Sequence, residues 1–154
     1  MKLLTISIAA YNVEEYLRET LDSLCDERYI DDIEILIIDD GSKDNTGLIG
    51  EEYANRYPKS IRYIKKENGG HGSTINCGIK EAIGKYFRII DGDDWVDKDS
   101  FYDYMCKLHR IGDDMVLTQH KSISPNGEHL NDFVHIKTEK SYSLEENLDI
   151  DLVY

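Results

Sequence analysis

Two short acidic segments, Asp39-Asp40-Gly41-Ser42 and Asp91-Gly92-Asp93-Asp94-Trp95, each follow an apolar run. Carboxylates crowded together without a counterion repel one another, and at least one becomes harder to ionise. A hard divalent cation relieves that repulsion. Mg²⁺ or Mn²⁺ takes one or two carboxylates and completes its shell with phosphate oxygens and water. Gly92 allows tight backbone geometry at a strand end, which favours a metal site over a solvated acidic turn. Asp91, Asp93 and Asp94 are therefore the metal candidates. In the other segment, Asp39 or Asp40 could accept a hydrogen bond from a nucleobase N–H or a ribose hydroxyl. The competing reading is that Asp39 or Ser42 caps the next helix while Asp44-Asn45 forms a turn. For Ser42 the capping reading is preferred.

Two further segments accompany the acidic ones. Tyr11, just past the first apolar run, could stack on a base, and Asn12 with Glu15 has the pattern of a helix capping box. The run Asn68-Gly69-Gly70-His71-Gly72 is not a P-loop, because no Gly-Lys-Ser/Thr follows. Nor is it a dinucleotide fingerprint, since Ile75 stands where the third glycine would fall. Glycine-rich backbone before a helix can nevertheless present N–H groups to an anion, so Asn68 and Gly70 are binding candidates. His71 lies in the same loop, and His109, His120, His129 and His135 show no metal-ligand spacing.

The elements that must position these groups alternate between strand and helix, the pattern of βαβ units and a mostly parallel sheet. Strands are expected at 3–9, 34–38, 61–64, 86–90 and 115–119. Helices are expected at 13–25, at 46–57 before Pro58, after the glycine-rich loop through Ile75, Ile79, Ala82 and Ile83, and through Phe101, Tyr104, Met105 and Leu108. Gly84 and Gly112 stand where helices commonly end, and Pro125-Asn126-Gly127 is a turn signal. Ligands of open parallel sheets sit outside the carboxyl ends of the strands, so the segments after 9, 38, 64 and 90 should meet on one rim.

Composition narrows the function. The chain has 154 residues and a net charge of −13, enough for one domain and unsuited to a nucleic-acid or anionic-lipid surface. An anionic ligand would need a recruited cation. No apolar run reaches the length of a membrane-spanning helix. The opening MKLLTISIAA reads as a buried strand rather than a leader. The unpaired spacing of Cys25, Cys77 and Cys106 reads as reduced thiols in a cytoplasmic protein.

The segments SIAAYNVEEYL, LIIDDGSKDNT, NGGHGSTINCG and GKYFRIIDGDDWVD, in this order, resemble the family 2 glycosyltransferases. That resemblance implies the GT-A nucleotide-diphospho-sugar transferase fold: a Rossmann-like, mostly parallel sheet with helices on both faces. It implies one domain over 1–154, with a donor-binding half at 1–97 and the start of an acceptor half at 98–154. It places Tyr11 against the nucleobase, Asp39 or Asp40 on the base or ribose, Asn76 and Gly78 near the diphosphate, and Asp91, Asp93 and Asp94 at the metal and sugar nucleotide. The implied reaction is inverting transfer from a nucleotide-diphospho-sugar to a hydroxyl of a glycan or lipid-linked acceptor, in polysaccharide or cell-envelope synthesis. The full-length protein would then work peripherally at the inner face of the membrane. Ile75 departs from the pattern, since family members often carry arginine there. The ending at DLVY reads as truncated, with the catalytic base lying beyond it; Asp132, Glu139, Glu145 and Glu146 sit in no recognisable acceptor motif. The rival readings are a sugar-nucleotide binding module, a Mg²⁺-dependent phosphatase, and a receiver-type signalling domain. The phosphatase reading is weakened by Trp95 in place of the required threonine, and the receiver reading by an acidic pair that follows the second strand rather than the first.

Overall fold

The first apolar run forms a central strand. In the computed structural model, which describes residues 1–112, 116, 118, 120–124 and 129–133, β1 (Leu4–Ala10) lies between β2 (Ile33–Asp39) and β4 (Tyr86–Asp91). β3 (Ile61–Lys65) completes a four-stranded sheet of order β3-β2-β1-β4, parallel throughout. That order puts β1 at a switch point of the Rossmann type. It differs from the 2-1-3-4-5 order of receiver-type domains, which removes that reading.

Four helices follow the strands in turn: α1 (Leu17–Leu24), α2 (Thr46–Arg56), α3 (His71–Glu81) and α4 (Lys98–Leu108). Every residue of β2 is buried, as expected of a strand covered on both faces. α2 covers the face bearing Ile37 and Tyr63, and α3 covers the face bearing Ser7 and Leu36. Each fully buried Ile or Leu contributes about 1.5–3 kcal/mol, and β1, β2 and α1 together hold eleven of those with no exposure: Leu4, Ile6, Ile8, Leu17, Leu21, Leu24, Ile33, Ile35, Leu36, Ile37 and Ile38.

Met1–Gly112 forms one compact unit and Asp113–Tyr154 a second. In the second, β5 (His120–Ile123) pairs antiparallel with β6 (His129–Phe133). The strand expected at 115–119 and the turn at 125–127 fall largely or wholly outside the described residues, as do Glu139, Glu145 and Glu146. No helix among the described residues is long and apolar enough to cross a membrane. Cys25, Cys77 and Cys106 are unpaired thiols.

Three local expectations are corrected. Asn12 does not cap α1: the helix begins four residues later than expected, after Tyr16, and Asn12 takes a positive φ of 52°. α3 buries Thr74 and Gly78, while Ile79 and Ile83 of the expected apolar stripe are exposed. A helix crossing this close to a sheet needs small residues at the contact: a Cβ on Gly78 would sit 2.1 Å from Ser7 Oγ. Gly84 is likewise not a helix stop. A Cβ there would lie 2.5 Å from Thr5 N and 2.7 Å from the Leu4 carbonyl carbon, so the glycine lets the chain enter β4 beside β1.

Backbone cannot yield as a flexible side chain can. Gly84→Ala should therefore destabilise by about 1–3 kcal/mol, the usual cost of overpacking. Gly72→Ala, whose Cβ would meet nothing within 4 Å, should change stability far less. Urea unfolding of the two variants checks the difference.

Candidate functional site

The parallel register carries the carboxyl ends of β1, β2 and β4 to one edge. Ala10 pairs with Asp39 and Ala9 with Asp91. Beyond the paired residues, the Asp40 N–H donates to Ala10 O at 2.9 Å and the Gly92 N–H to Ala9 O at 3.1 Å. The two acidic segments thus flank β1 on the same rim.

Five hydrogen bonds lace the segment after β1 to the segment after β2. The Asn12 N–H donates to Ser42 Oγ at 3.0 Å, and Asn12 Oδ1 accepts from the Lys43 N–H at 2.9 Å. Thr46 Oγ1 accepts from the Val13 N–H at 2.9 Å, and Asp44 Oδ2 from the Glu14 N–H at 3.1 Å. Glu14 Oε2 accepts from the Asn45 N–H at 2.8 Å. Asn12 and Ser42 therefore act as inter-loop ties rather than helix caps. The expected Asp44-Asn45 turn is present, with Asp44 Oδ1 accepting from the Thr46 N–H at 3.0 Å. Tyr11, 48% exposed, projects from this fixed rim.

The two aspartates after β2 differ sharply. Asp39 has no exposed surface. Its Oδ1 accepts from the Ser42 N–H at 2.7 Å and its Oδ2 from Tyr63 Oη at 2.5 Å. Burial, the hydrogen bond to Asp39 and the charge on Asp39 push the Tyr63 phenol well above its usual range. Gly47 and Gly50 of α2 leave room for that side chain: a Cβ on Gly50 would lie 2.5 Å from the ring, and one on Gly47 2.8 Å from its hydroxyl oxygen.

Asp40, only 3% exposed, is enclosed by the glycine-rich loop. Its Oδ1 accepts from Lys66 Nζ and from the Gly69 N–H at 2.9 Å; its Oδ2 accepts from the Gly70 N–H at 2.7 Å. Lys66 gives its other two protons to Glu67 O at 2.5 Å and Ser73 Oγ at 2.8 Å. The single Ser73 hydroxyl proton goes to Gly70 O at 2.7 Å. Burial raises the Asp40 pKa, but the Lys66 hydrogen bond, the two backbone N–H groups and the Lys66 charge outweigh it and hold the carboxyl below its usual range. The N–H groups of Gly69 and Gly70, expected to face an external anion, instead cradle this internal one. Of the four lone-pair sites of a carboxylate, one on Oδ2 remains for a further donor.

The 91–94 turn is equally fixed. The Asp94 N–H donates to Asp91 O at 3.1 Å, Thr20 Oγ1 donates to Gly92 O at 3.0 Å, and the Val96 N–H donates to Ser23 Oγ at 3.1 Å. A Cβ on Gly92 would lie 3.0 Å from both Ala9 O and Val13 Cγ2, so glycine lets the turn close on β1. Asp91, Asp93, Asp94 and Trp95 are exposed. Among the described residues no three His, Cys, Asp or Glu side chains are grouped to hold a metal by themselves. Exposed hard-oxygen donors on a fixed turn do suit a cation that draws its remaining ligands from substrate phosphate and water. His71 Nδ1, at the start of α3, stands 3.8 Å from Asp91 Oδ1, so the end of the glycine-rich loop lies near this turn. Asn68, Gly70 and Asn76 are exposed nearby in sequence, on that loop and on α3. The structure thus adds Lys66, Ser73 and Tyr63, whose roles depend on strand order and register.

The family profile described as Glycosyl transferase family 2 matches residues 5–150. Glycosyltransferase EpsJ of Bacillus subtilis (strain 168) is 43% identical over 99 residues, covering 64% of this chain and 28% of that protein. The minor teichoic acid biosynthesis protein GgaB of the same organism is 38% identical over 98 residues, covering 63% of this chain and 11% of its own length. The crystal structure of S. aureus TarS 1-349 in complex with UDP-GlcNAc superposes with a TM-score of 0.59 at 30% identity, covering 71% of this chain and 32% of that one. The chain therefore spans less than a third of the length of these two curated relatives.

Because the folded state holds Asp40 ionised, its contribution to stability is present above its unfolded pKa of about 3.9 and is lost as pH falls through the lower folded value. The stability gap between wild type and Asp40→Asn should therefore shrink as pH drops from about 5 to about 2. Urea unfolding across that pH series measures it.

Proposed function

The chain belongs to glycosyl transferase family 2, and on that premise we propose that its rim binds the nucleotide-diphospho-sugar donor of a glycosyl transfer reaction. The observation that carries this reading is the common edge: Asp40 and Gly92 hydrogen-bond to consecutive carbonyls of β1, so one ligand can span both acidic segments. Asp40 accepts from the base or ribose through the remaining site on Oδ2, Tyr11 stacks on the base, and buried Asp39 holds the turn from behind. Asn68, Gly70, Asn76 and Asp91 line the path of the diphosphate. TarS, crystallised with UDP-GlcNAc, supports a nucleotide-sugar ligand, and GgaB, a minor teichoic acid biosynthesis protein, supports a role in cell-wall polysaccharide synthesis, for which a glycan or lipid-linked acceptor is the proposed partner.

Asp91 and Asp93, with Asp94 beside them, would hold Mg²⁺ or Mn²⁺. When bound, that ion supplies Lewis-acid stabilisation of the departing diphosphate. The side chains of the rim bind and orient the donor, leaving its anomeric carbon open to a hydroxyl from the face opposite the nucleotide, which is inverting transfer. The match to under a third of each curated relative favours one second reading, donor binding without turnover by this stretch alone. Product formation by the chain, set beside its donor affinity, separates the two.

An ionised carboxylate accepts hydrogen bonds and cannot donate them. Uracil and guanine offer it a ring N–H, whereas cytosine and adenine place a ring acceptor at that edge. Isothermal titration should show UDP or GDP binding with Mn²⁺ at least tenfold more tightly than without it, about 1.4 kcal/mol, with CDP and ADP weaker. Asp91→Asn and Asp93→Asn should remove the metal dependence. Equal affinity for UDP and GDP with and without Mn²⁺ would count against the reading.

A further inference from the structure

We propose that Lys66 is a positioning residue for the donor site: its ammonium locks Asp40 to the 67–73 loop and thereby sets the loop's place against the 91–94 turn. This rests on the donor-binding reading above and adds a residue to it.

The Lys66 backbone is anchored first, with its N–H donating to Asp39 O at 2.9 Å at the end of β3. All three ammonium protons are then spent on Asp40 Oδ1, Glu67 O and Ser73 Oγ, which belong to β2's exit, the loop and α3. Asp40 in turn accepts from the Gly69 and Gly70 N–H groups. The loop is therefore held to β2's exit by this part-buried charge pair together with the two glycine N–H groups. Two glycines make the closure possible. A Cβ on Gly69 would lie 2.8 Å from Ser73 Oγ and 3.2 Å from Lys66 Nζ; a Cβ on Gly41, at φ +78°, would lie 3.2 Å from Asn68 N. The loop leads directly into His71, whose Nδ1 is 3.8 Å from Asp91 Oδ1. In a chain of net charge −13, the same ammonium also cancels one carboxylate on a rim that must admit an anionic diphosphate. Breaking a buried pair by removing one partner leaves the other charge uncompensated, so the loop should loosen.

The test compares wild type, Lys66→Met and Lys66→Arg by amide hydrogen exchange and by UDP titration with Mn²⁺. In Lys66→Met, the Gly69 and Gly70 amides should exchange at least tenfold faster while those of Ile6 and Ile37 stay protected, showing an intact sheet. UDP affinity should fall at least tenfold, and Lys66→Arg should restore most of both. Should Lys66→Met fail to fold, Lys66→Gln takes its place. Unchanged exchange at Gly69 and Gly70 overturns the clamp. Faster exchange with unchanged UDP affinity overturns its role in the donor site. If wild type itself binds no nucleotide, the donor reading fails, while the exchange comparison still decides whether Lys66 holds the loop.

Discussion

One ionised carboxylate holds the glycine-rich loop against the exit of β2. Asp40 leaves the sheet at a point where water is nearly excluded, and a charge so placed persists only if its neighbours satisfy it. Lys66, Gly69 and Gly70 do so. The consequence runs beyond stability. The loop that satisfies Asp40 also begins α3, and α3 begins with the histidine that approaches Asp91. Asp40 thus ties the end of β2 to the loop that follows β3, and that loop brings His71 near the end of β4.

The sheet supplies the other half of the rim. Four parallel strands deliver their carboxyl ends to the same side, and β1, central and uncharged, serves as the common reference for β2 and β4. Glycines fall where backbone must approach backbone: Gly84 beside Thr5, and Gly92 beside Ala9. The exposed side chains, Tyr11 and Asp91 among them, stand on segments whose backbones are held by hydrogen bonds from neighbouring loops. A ligand meeting such a rim finds its contacts already positioned, which lowers the ordering cost of binding.

Much of this was legible in the residues. Short apolar runs at 3–9 and 34–38 predict buried strands of a mostly parallel sheet, and the acidic segments after the second and fourth strands predict part of the rim. Asn12 misled because asparagine suits both a helix cap and a left-handed loop, and only the neighbouring strand's Ser42 and Lys43 decide between them. Gly84 misled for a similar reason, since a helix stop and a close backbone approach use the same residue. The glycine-rich loop looked like an anion cradle and is one, but its anion is Asp40. Lys66 stayed hidden because its partner lies 26 residues away and is reached only through the β2–β3 register. A lysine just after a strand, in a chain needing a cation near its acidic rim, was the one available signal.

On the proposed reading, a single edge binds a nucleotide diphosphate and a divalent ion together. Mn²⁺ is paramagnetic and broadens the NMR signals of nearby nuclei, so it reports its own position. With UDP present, substoichiometric Mn²⁺ should broaden the amide signals of Gly92 and Asp93 selectively, and omitting UDP should leave those signals largely sharp. Broadening confined to other acidic surfaces, or identical with and without UDP, would rule out a shared site on this edge.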